Sequence, residues 1–266
     1  MELIPVLDKG FVRLVDQMGD DRAIVQAARV SYGEGTKTVR EDRALIDYLM
    51  RHRHTSPFEM VEFKFHVKAP LFVARQWFRH RTASLNEVSG RYSVLKEEFY
   101  EPEAFRRQAK RNKQGSEGVL EDAVKAEALA LVKEAEKGAY AAYQALLQKG
   151  VAREMARMVL PLSLYTEFYW KQDLHNLFHF LKLRLAPEAQ WEIQEYARAI
   201  AALVKERVPM AWAAFEEHVL HGASLSKSEL LALRALLTPE VYEKALRALG
   251  LPESRVREAL EKVFGL

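Results

Sequence analysis

Two stretches in which apolar and polar residues alternate constrain the fold of this chain more than any other feature. Every second residue is apolar over 61–68, and the same alternation runs over 162–170. A shorter alternation covers 11–16. Because successive side chains of a strand point to opposite faces, this pattern predicts β-strands with one buried and one wet face. Half-buried strands of this kind are typical of antiparallel sheets.

The remaining segments carry the spacing and end signals of helices and loops. Residues 54–59 are predicted to form a loop, because Pro57 disfavours a helical conformation at Ser56. Gly33 and Gly35 indicate a turn. The pattern predicts an α+β fold, with an antiparallel or mixed sheet and packed helices. The predicted helices cover 20–31, 40–53, 71–81, 121–149, a short segment ending at Leu160, 173–185 and 188–221; 82–93 is a polar segment and 101–118 a surface insertion.

The last part of the chain has a different character. Residues 224–266 carry the signals of three short amphipathic helices, with start signals at Pro239 and Pro252 and a stop at Gly250. A chain of 266 residues is long enough for one large domain with an appendage. We therefore predict a core over 1–222 and a C-terminal helical extension over 223–266.

Composition excludes several classes of function. The chain has no cysteine, which excludes disulfides, thiolate metal sites and a cysteine nucleophile. Its 40 Lys and Arg against 37 Asp and Glu give a net charge of +3, which does not predict a general nucleic-acid binder. No glycine-rich phosphate loop follows a predicted strand. No apolar run is long enough for a bilayer and no signal peptide is visible, so we expect a cytoplasmic protein and no membrane partner.

Residues 75–91 form a cationic cluster in the sequence. Arg75, Arg79 and Arg81 are interleaved with aromatic residues, and Gln76, Arg79 and His80 would share one face of a helix. Arginine supplies planar, bidentate donors suited to phosphate. The cluster is therefore either a nucleotide-type anion site or a solvated basic helix end that the helix dipole favours.

The cluster resembles the signature of a known family. Residues 79–91 read RHRTASLNEVSGR, which matches the RHRxxSxNExSxR signature of the flavin-dependent thymidylate synthases at every fixed position. Segments 54–59, 152–161 and 181–192 are similar to other parts of that family, and the resemblance covers roughly residues 1–220.

This resemblance implies an activity and its partners. Members of the family methylate dUMP to dTMP, with methylenetetrahydrofolate as carbon donor, FAD as redox cofactor and NADPH as hydride source. They are homotetramers whose active sites are shared between subunits. Their FAD site is not a Rossmann site, in agreement with the missing glycine fingerprint. No nucleic acid is expected as a partner.

The resemblance also implies roles for individual residues. Arg184 and His54 correspond to catalytic positions, Arg184 against the uracil ring and His54 beside the flavin. The dUMP-binding positions would be Gln76, Trp77, Phe78, Arg79, Glu87, Val88, Ser89, Gly90, Arg91, Arg157 and Arg184, with Arg157 contributed by another subunit. The FAD-binding positions would be Ser56, Arg79, His80, Arg81, Glu87, Asp173, Leu174, His175 and His179.

One segment departs from the family pattern. Where many members have Asn-x-Arg and a later Asn, this chain has Asp173, His175 and His179. Asp173 only accepts hydrogen bonds, whereas an asparagine also donates, so the FAD contacts differ. His175 and His179 lie four residues apart, which is compatible with metal binding, with lining of the cofactor site or with packing. We predict no metal, because no HExxH glutamate lies between them.

Zero cysteine bears on the mechanism. A thiolate cannot attack the uracil ring here, so we expect Arg184 to stabilise negative charge at N3 and O2 and Ser89 to act as a substrate contact. Two alternative functions remain, a nucleic-acid-binding helical protein and a histidine-only metallohydrolase. A purified protein that is yellow with flavin excludes the first of them.

Overall fold

The computed structural model describes residues 3–30, 39–110, 113 and 115–265, without the side chain of Val39. The predicted turn at Gly33 and Gly35 lies outside these residues. The chain divides into two compact units, Met1–Leu220 and His221–Leu266. Among the described residues, no helix is both long and apolar enough to cross a bilayer.

The first unit is built on an antiparallel sheet of five strands. The strands among the described residues are β1 Leu3–Val6, β2 Gly10–Met18, β3 Glu62–Pro70, β4 Ser84–Glu87, β5 Arg106–Gln108, β6 Ser116–Val119 and β7 Tyr165–Asp173. The five-stranded sheet has the order β1-β2-β3-β7-β4, and β5 pairs with β6 in a separate hairpin. The predicted α+β class with an antiparallel sheet is confirmed.

The alternating pattern explains the central pair of strands. Phe63, Phe65 and Val67 of β3 are fully buried, and Phe65 lies opposite Trp170 of β7. Phe168 is buried on the same face. The polar residues between them point to the other face, so one side of the sheet packs on helices and forms the core.

Helices cover the apolar face and supply the rest of the core. Those that contribute to this core are α1 Asp21–Arg29, α2 Val39–Arg51, α3 Ser56–Glu59, α4 Leu71–Trp77, α7 Leu174–Arg184, α8 Trp191–Arg207 and α9 Pro209–Phe215. Two further helices, α5 Asp122–Gln148 and α6 Arg153–Ala156, contribute none of the described residues of this core. A 3-10 turn follows α6 at Arg157–Val159, and a π-helical turn follows α9 at Glu216–Leu220. The predicted helix over 173–185 matches α7 closely, because Asp173 caps it.

Several predictions made from local signals are wrong. Residues 54–59 are not all loop, because Pro57 lies in the first turn of α3, where its missing N–H is not needed. The helix predicted to Arg81 ends at Trp77, and the polar segment contains β4. Pro209 breaks the single helix predicted over 188–221.

The edges of two other segments also differ from prediction. The second strand lies three residues later than its alternation suggested, at Tyr165–Asp173 instead of 162–170, and Leu162 is exposed. The insertion at 101–118 contains the strands β5 and β6. β1 carried too short a pattern to be predicted.

The second unit consists of three helices over its described residues. These are α10 Lys227–Leu236, α11 Pro239–Ala248 and α12 Glu253–Phe264. Ser226 and Glu229 form a capping box at the start of α10. Leu246, Val256 and Val263 are its buried apolar residues.

Candidate functional site

The cationic cluster lies where α4 ends and the chain turns into the edge strand β4. Trp77, the last residue of α4, is fully buried and packs edge-to-face on Phe168 with ring centroids 5.4 Å apart. The residues that follow leave the helix, so the expected shared helix face of Gln76, Arg79 and His80 is wrong. Arg79 and His80 lie in a turn that follows the buried Trp77, and this turn, not a helix face, positions their side chains.

The predicted site residues fall into three classes of burial. Trp77, Gly90 and Leu174 are buried, so the side chains of Trp77 and Leu174 belong to the core. Partly buried are Gln76, Phe78, His80, Glu87, Ser89, Asp173, His175 and Arg184. Exposed are His54, Ser56, Arg79, Arg81, Val88, Arg91, Arg157 and His179.

Arg184, at the end of α7, is fixed by two acceptors from the cluster. Its Nε donates to His80 Nε2 at 3.0 Å, and its Nη2 donates to the backbone oxygen of Gln76 at 3.2 Å. These contacts join residues more than a hundred positions apart in the chain. The structure thus brings together three of the predicted site residues, with the guanidinium in a defined plane.

The electrostatics of this group favour a neutral histidine. Burial, then the charge of Arg184, then that of His179 lower the pKa of His80 from 6.5 to about 4. Burial also lowers the pKa of Arg184 from its ordinary value. A neutral His80 with a lone pair on Nε2 is the form that accepts the hydrogen bond from Arg184.

Two arginines flank His80 in the sequence and have no side-chain partner in the part of the chain that the structure describes. The guanidinium groups of Arg79 and Arg81 are exposed and make no hydrogen bond or ion pair with any residue that the structure describes. The ring of His179 lies 6.1 Å from that of His80, which stands between the two arginines in the sequence, measured between ring centroids. Two unpaired cations next to a half-buried arginine form a surface suited to an anion.

The second half of the cluster forms a tight turn after β4. Glu87 Oε1 accepts a hydrogen bond from the hydroxyl of Thr166 at 2.7 Å, and Ser89 Oγ accepts from the backbone N–H of Arg91 at 3.3 Å. Gly90 is buried in this turn, and a Cβ there would lie 3.2 Å from Cδ of Arg157. The turn therefore brings Arg157 of the same chain next to the signature, whereas the resemblance implied an Arg157 from another subunit.

Arg91 has a partner within the same region. Its Nε lies 3.0 Å from Glu154 Oε2, and both side chains are more than half exposed. A surface pocket of about 500 Å³ is lined by these two residues together with Tyr92, Leu147 and Arg153. The exposed ion pair is weak in water, so Arg91 is available to an anionic ligand at low cost.

The predicted flavin residues of α7 have structural tasks as well. Asp173 caps the helix by accepting hydrogen bonds from the backbone N–H of Asn176 at 2.9 Å and from its side-chain amide at 2.7 Å.

α3, which carries Ser56, packs against α7. His54 lies against Tyr48, with ring centroids 5.9 Å apart, and no contact to Arg184 is recorded for it among the described residues.

The site residues predicted from the sequence did not include Gln190 and Glu192, which support Gln76, although both lie in the segment 181–192 that resembles the family. The Gln76 amide donates to Gln190, and Gln190 donates to the buried Glu192 at 2.9 Å. The available signal was an acidic residue in the first turn of α8. Within the described residues no group of three or more metal-ligating side chains comes together.

The fold and this site define an α+β domain with an arginine-rich face at the edge of its sheet. A family model described as "Thymidylate synthase complementing protein" (Thy1) matches residues 13–210. The chain belongs to this family.

Named relatives agree with this assignment. The chain is 84% identical over 262 residues to a protein from Thermus thermophilus named "Flavin-dependent thymidylate synthase", covering 98% of this chain and 96% of that one. A protein of the same name from Treponema denticola is 58% identical over 236 residues, covering 87% and 88%. The predicted resemblance to flavin-dependent thymidylate synthases, and the enzyme class that it implies, are confirmed.

A solved structure has the same fold. It is the UMP/dUMP methylase PolB from Streptomyces cacaoi bound with 5-Br dUMP, which is 34% identical with a TM-score of 0.75. The match covers 83% of this chain and 100% of that chain.

Proposed function

We propose that this protein reductively methylates dUMP to dTMP with FAD as its redox cofactor. The observation that carries the proposal is the arginine Arg184, held by His80 and Gln76 beside the unpaired cations Arg79 and Arg81. Relatives named flavin-dependent thymidylate synthases, and a methylase solved with a dUMP analogue, support this reading.

The residues present suit a flavin with a phosphate group. Among the described residues, Arg79 and Arg81 supply exposed guanidinium groups without a partner. Ser56 on α3 and His179 on α7 add polar side chains, and these two helices pack against each other. These donors replace the glycine-rich loop that the sequence lacks. When bound, FAD would supply the redox chemistry of the reaction, by carrying the reducing equivalents that NADPH donates.

Arg184 would act on the uracil ring. Its partners fix Nε and Nη2, which sets the orientation of the planar guanidinium. A fixed cation that faces N3 and O2 stabilises the negative charge that develops there when C5 becomes nucleophilic. Neutral His80 assists because it accepts a hydrogen bond from Arg184 and adds no competing charge.

The nucleotide phosphate would bind at the turn after β4. Arg91 and Arg157 meet there around Gly90, and the half-buried Ser89 offers a hydroxyl. Ser89 Oγ already accepts the N–H of Arg91, and no general base contacts it among the described residues. We therefore assign Ser89 to substrate binding and not to nucleophilic attack, the route that a cysteine would otherwise take.

The remaining parts of the proposal rest on the family resemblance. Methylenetetrahydrofolate would donate the carbon and NADPH the hydride. The core over 1–222 would carry the activity as a cytoplasmic homotetramer with shared active sites, and the helices over 223–266 would lie outside it. These points stay predictions.

The test is anaerobic turnover of dUMP with methylenetetrahydrofolate and NADPH, with and without added FAD. We expect dTMP that depends on FAD. Arg79→Ala and Arg91→Ala should each weaken dUMP binding, since a charge-assisted contact contributes about 1.5–3 kcal/mol. Arg22→Ala is the matched control, because Arg22 is an exposed arginine of α1 that pairs with Asp20. A colourless protein that shifts oligonucleotides and makes no dTMP would contradict the proposal.

A further inference from the structure

A chain of polar side chains runs from the buried start of α8 to the candidate nucleotide site. Glu192 is only 4% exposed, and its Oε2 accepts the amide of Gln190 at 2.9 Å. Gln190 in turn accepts the amide of Gln76, whose backbone oxygen is bound by Arg184. We call Gln76, Gln190 and Glu192 the amide relay.

The far end of the amide relay is fixed by a cation. Arg106 of β5 donates to Glu192 Oε1 at 2.6 Å, and Tyr100 donates to the same oxygen at 3.3 Å. Burial and the nearby Glu192 raise the pKa of Tyr100, so its hydroxyl stays a donor. Arg106 also lies over the ring of Trp191 at 5.2 Å and donates to Ser116 of β6 at 3.1 Å. Glu192 is thus a paired carboxylate with three donors around it.

The paired carboxylate determines the orientation of both amides. An ionised carboxylate only accepts, so Gln190 must turn its NH₂ toward Glu192 and its oxygen toward Gln76. Gln76 must then donate its NH₂ to Gln190. The oxygen of the Gln76 amide is left as the group without a partner in the relay, and it has acceptor character only.

We propose that Gln190 and Glu192 are positioning residues, which turn the Gln76 amide oxygen toward a hydrogen-bond donor of the bound pyrimidine nucleotide. This inference rests on the proposed function, in which Gln76 faces dUMP. The hairpin of β5 and β6 would then contribute to substrate binding, because its Arg106 fixes the Glu192 carboxylate, and this carboxylate determines which way each amide of the relay points. Without the relay, the Gln76 amide rotates between two orientations. For part of the time it then presents its NH₂ group to the nucleotide in place of its oxygen.

The test is a double-mutant cycle on the FAD-loaded protein. Gln190→Ala, Gln76→Ala and the double variant are titrated with dUMP, with the change in the flavin spectrum as signal, and KM and kcat are measured for each. We expect Gln190→Ala to raise the Kd and KM for dUMP about three- to tenfold, the range of a single hydrogen bond, with kcat and flavin content retained. The double variant should lose no more than Gln76→Ala alone, because Gln190 acts through Gln76.

Two further variants complete the design. Glu188→Ala, in the exposed loop before Gln190, is the matched control and should bind dUMP like the wild type. Glu192→Gln should reproduce the effect of Gln190→Ala, because an amide at this position no longer dictates which way Gln190 points. If Glu192→Gln does not fold, Gln190→Ala still decides the matter, since its side chain is at the surface.

The outcomes separate the inference from the function on which it rests. A Gln190→Ala protein that binds dUMP like Glu188→Ala overturns the amide relay and leaves the proposed function intact. Losses that add in the double variant also overturn it, because Gln190 then acts independently of Gln76. A wild-type protein that neither binds nor converts dUMP overturns the proposed function and this inference with it.

Discussion

At the scale of single residues, the shape of the cation at position 184 matters more than its charge. Two nitrogens of Arg184 donate to His80 and to the backbone oxygen of Gln76. The remaining N–H groups of the guanidinium are left for a ligand. A lysine has one nitrogen on a flexible chain and cannot serve both acceptors and the uracil ring at once.

We therefore expect Arg184→Lys to lower kcat more than it lowers dUMP affinity. Loss of one donor that stabilises charge in the transition state costs about 10²-fold in rate, whereas Arg91 and Arg157 still hold the phosphate. Single-turnover dTMP formation and flavin-monitored dUMP titration measure the two effects. Lys182→Ala, an exposed cation on the same helix, serves as control. Near-normal turnover in Arg184→Lys would remove the assigned role.

His80 gives the protein a dependence of stability on pH that can be measured. Folding lowers the pKa of this residue from 6.5 to about 4, so between these values the unfolded chain binds more protons than the folded one. The contribution of His80 to the free energy of unfolding is therefore retained above pH 6.5 and decreases as the pH falls toward 4.

The variant His80→Gln should flatten this dependence. A glutamine still offers an oxygen to Arg184 but does not titrate, so its melting temperature should fall less than that of the wild type over the same pH interval. Thermal unfolding monitored by circular dichroism is the measurement, with His221→Gln, an exposed histidine, as control. Parallel curves for His80→Gln and the wild type would show that His80 titrates normally.

At the scale of elements, the sequence predicted those strands and helices whose patterns are long. Phe63, Phe65 and Val67 repeat often enough to define β3, and Asp173 marks the start of α7 with a cap. The four residues of β4 are exposed or half-buried and have no periodic signal, because this strand exists only through pairing with β7. Tertiary pairing of this kind cannot be predicted from local pattern.

The hairpin of β1 and β2 approaches α8 so closely that only glycine fits at its turn. A Cβ at Gly10 would collide with the hydroxyl of Tyr196 and lie 2.7 Å from the backbone oxygen of Lys68. That hydroxyl donates to the same Lys68 oxygen at 2.7 Å. The contact locks the edge of the sheet onto the helix that carries Glu192.

Gly10→Ala should therefore destabilise the protein by about 1–3 kcal/mol, the usual cost of overpacking a closed site. Gly138 is the matched control, because it lies exposed within α5 and a Cβ there meets nothing within 4 Å. Gly138→Ala should stabilise by up to about 1 kcal/mol, since alanine has the higher helix propensity. Urea unfolding of both variants checks the opposite signs. Equal stability of the two alanine variants would refute the argument.

At the scale of the whole molecule, the candidate site is assembled from distant segments. Arg184 meets His80 across 104 positions, and Gln76 meets Gln190 across 114. The signature predicted which residues belong to the site, but composition and spacing carry no information on which of them touch. For that reason the partners of Arg184 and the amide relay emerge only from the folded chain.

The two compact units give a prediction about the C-terminal helices. Residues 13–210 match the family, the first unit ends at Leu220, and α11 and α12 have their own buried residues. Every contact described for the candidate site lies within the first unit. A chain that stops at residue 222 should therefore keep its flavin, its affinity for dUMP and its turnover.

The experiment compares the truncated and full-length proteins in parallel. Flavin content, the dUMP titration and anaerobic dTMP formation should agree within about twofold, the scatter expected when no contact to the ligands is lost. A lower melting temperature is compatible with this result, because the removed helices bury apolar surface of their own. If truncation releases the flavin or abolishes turnover while circular dichroism shows a folded core, the C-terminal helices are part of the active assembly. The boundary of the catalytic core would then lie beyond residue 222.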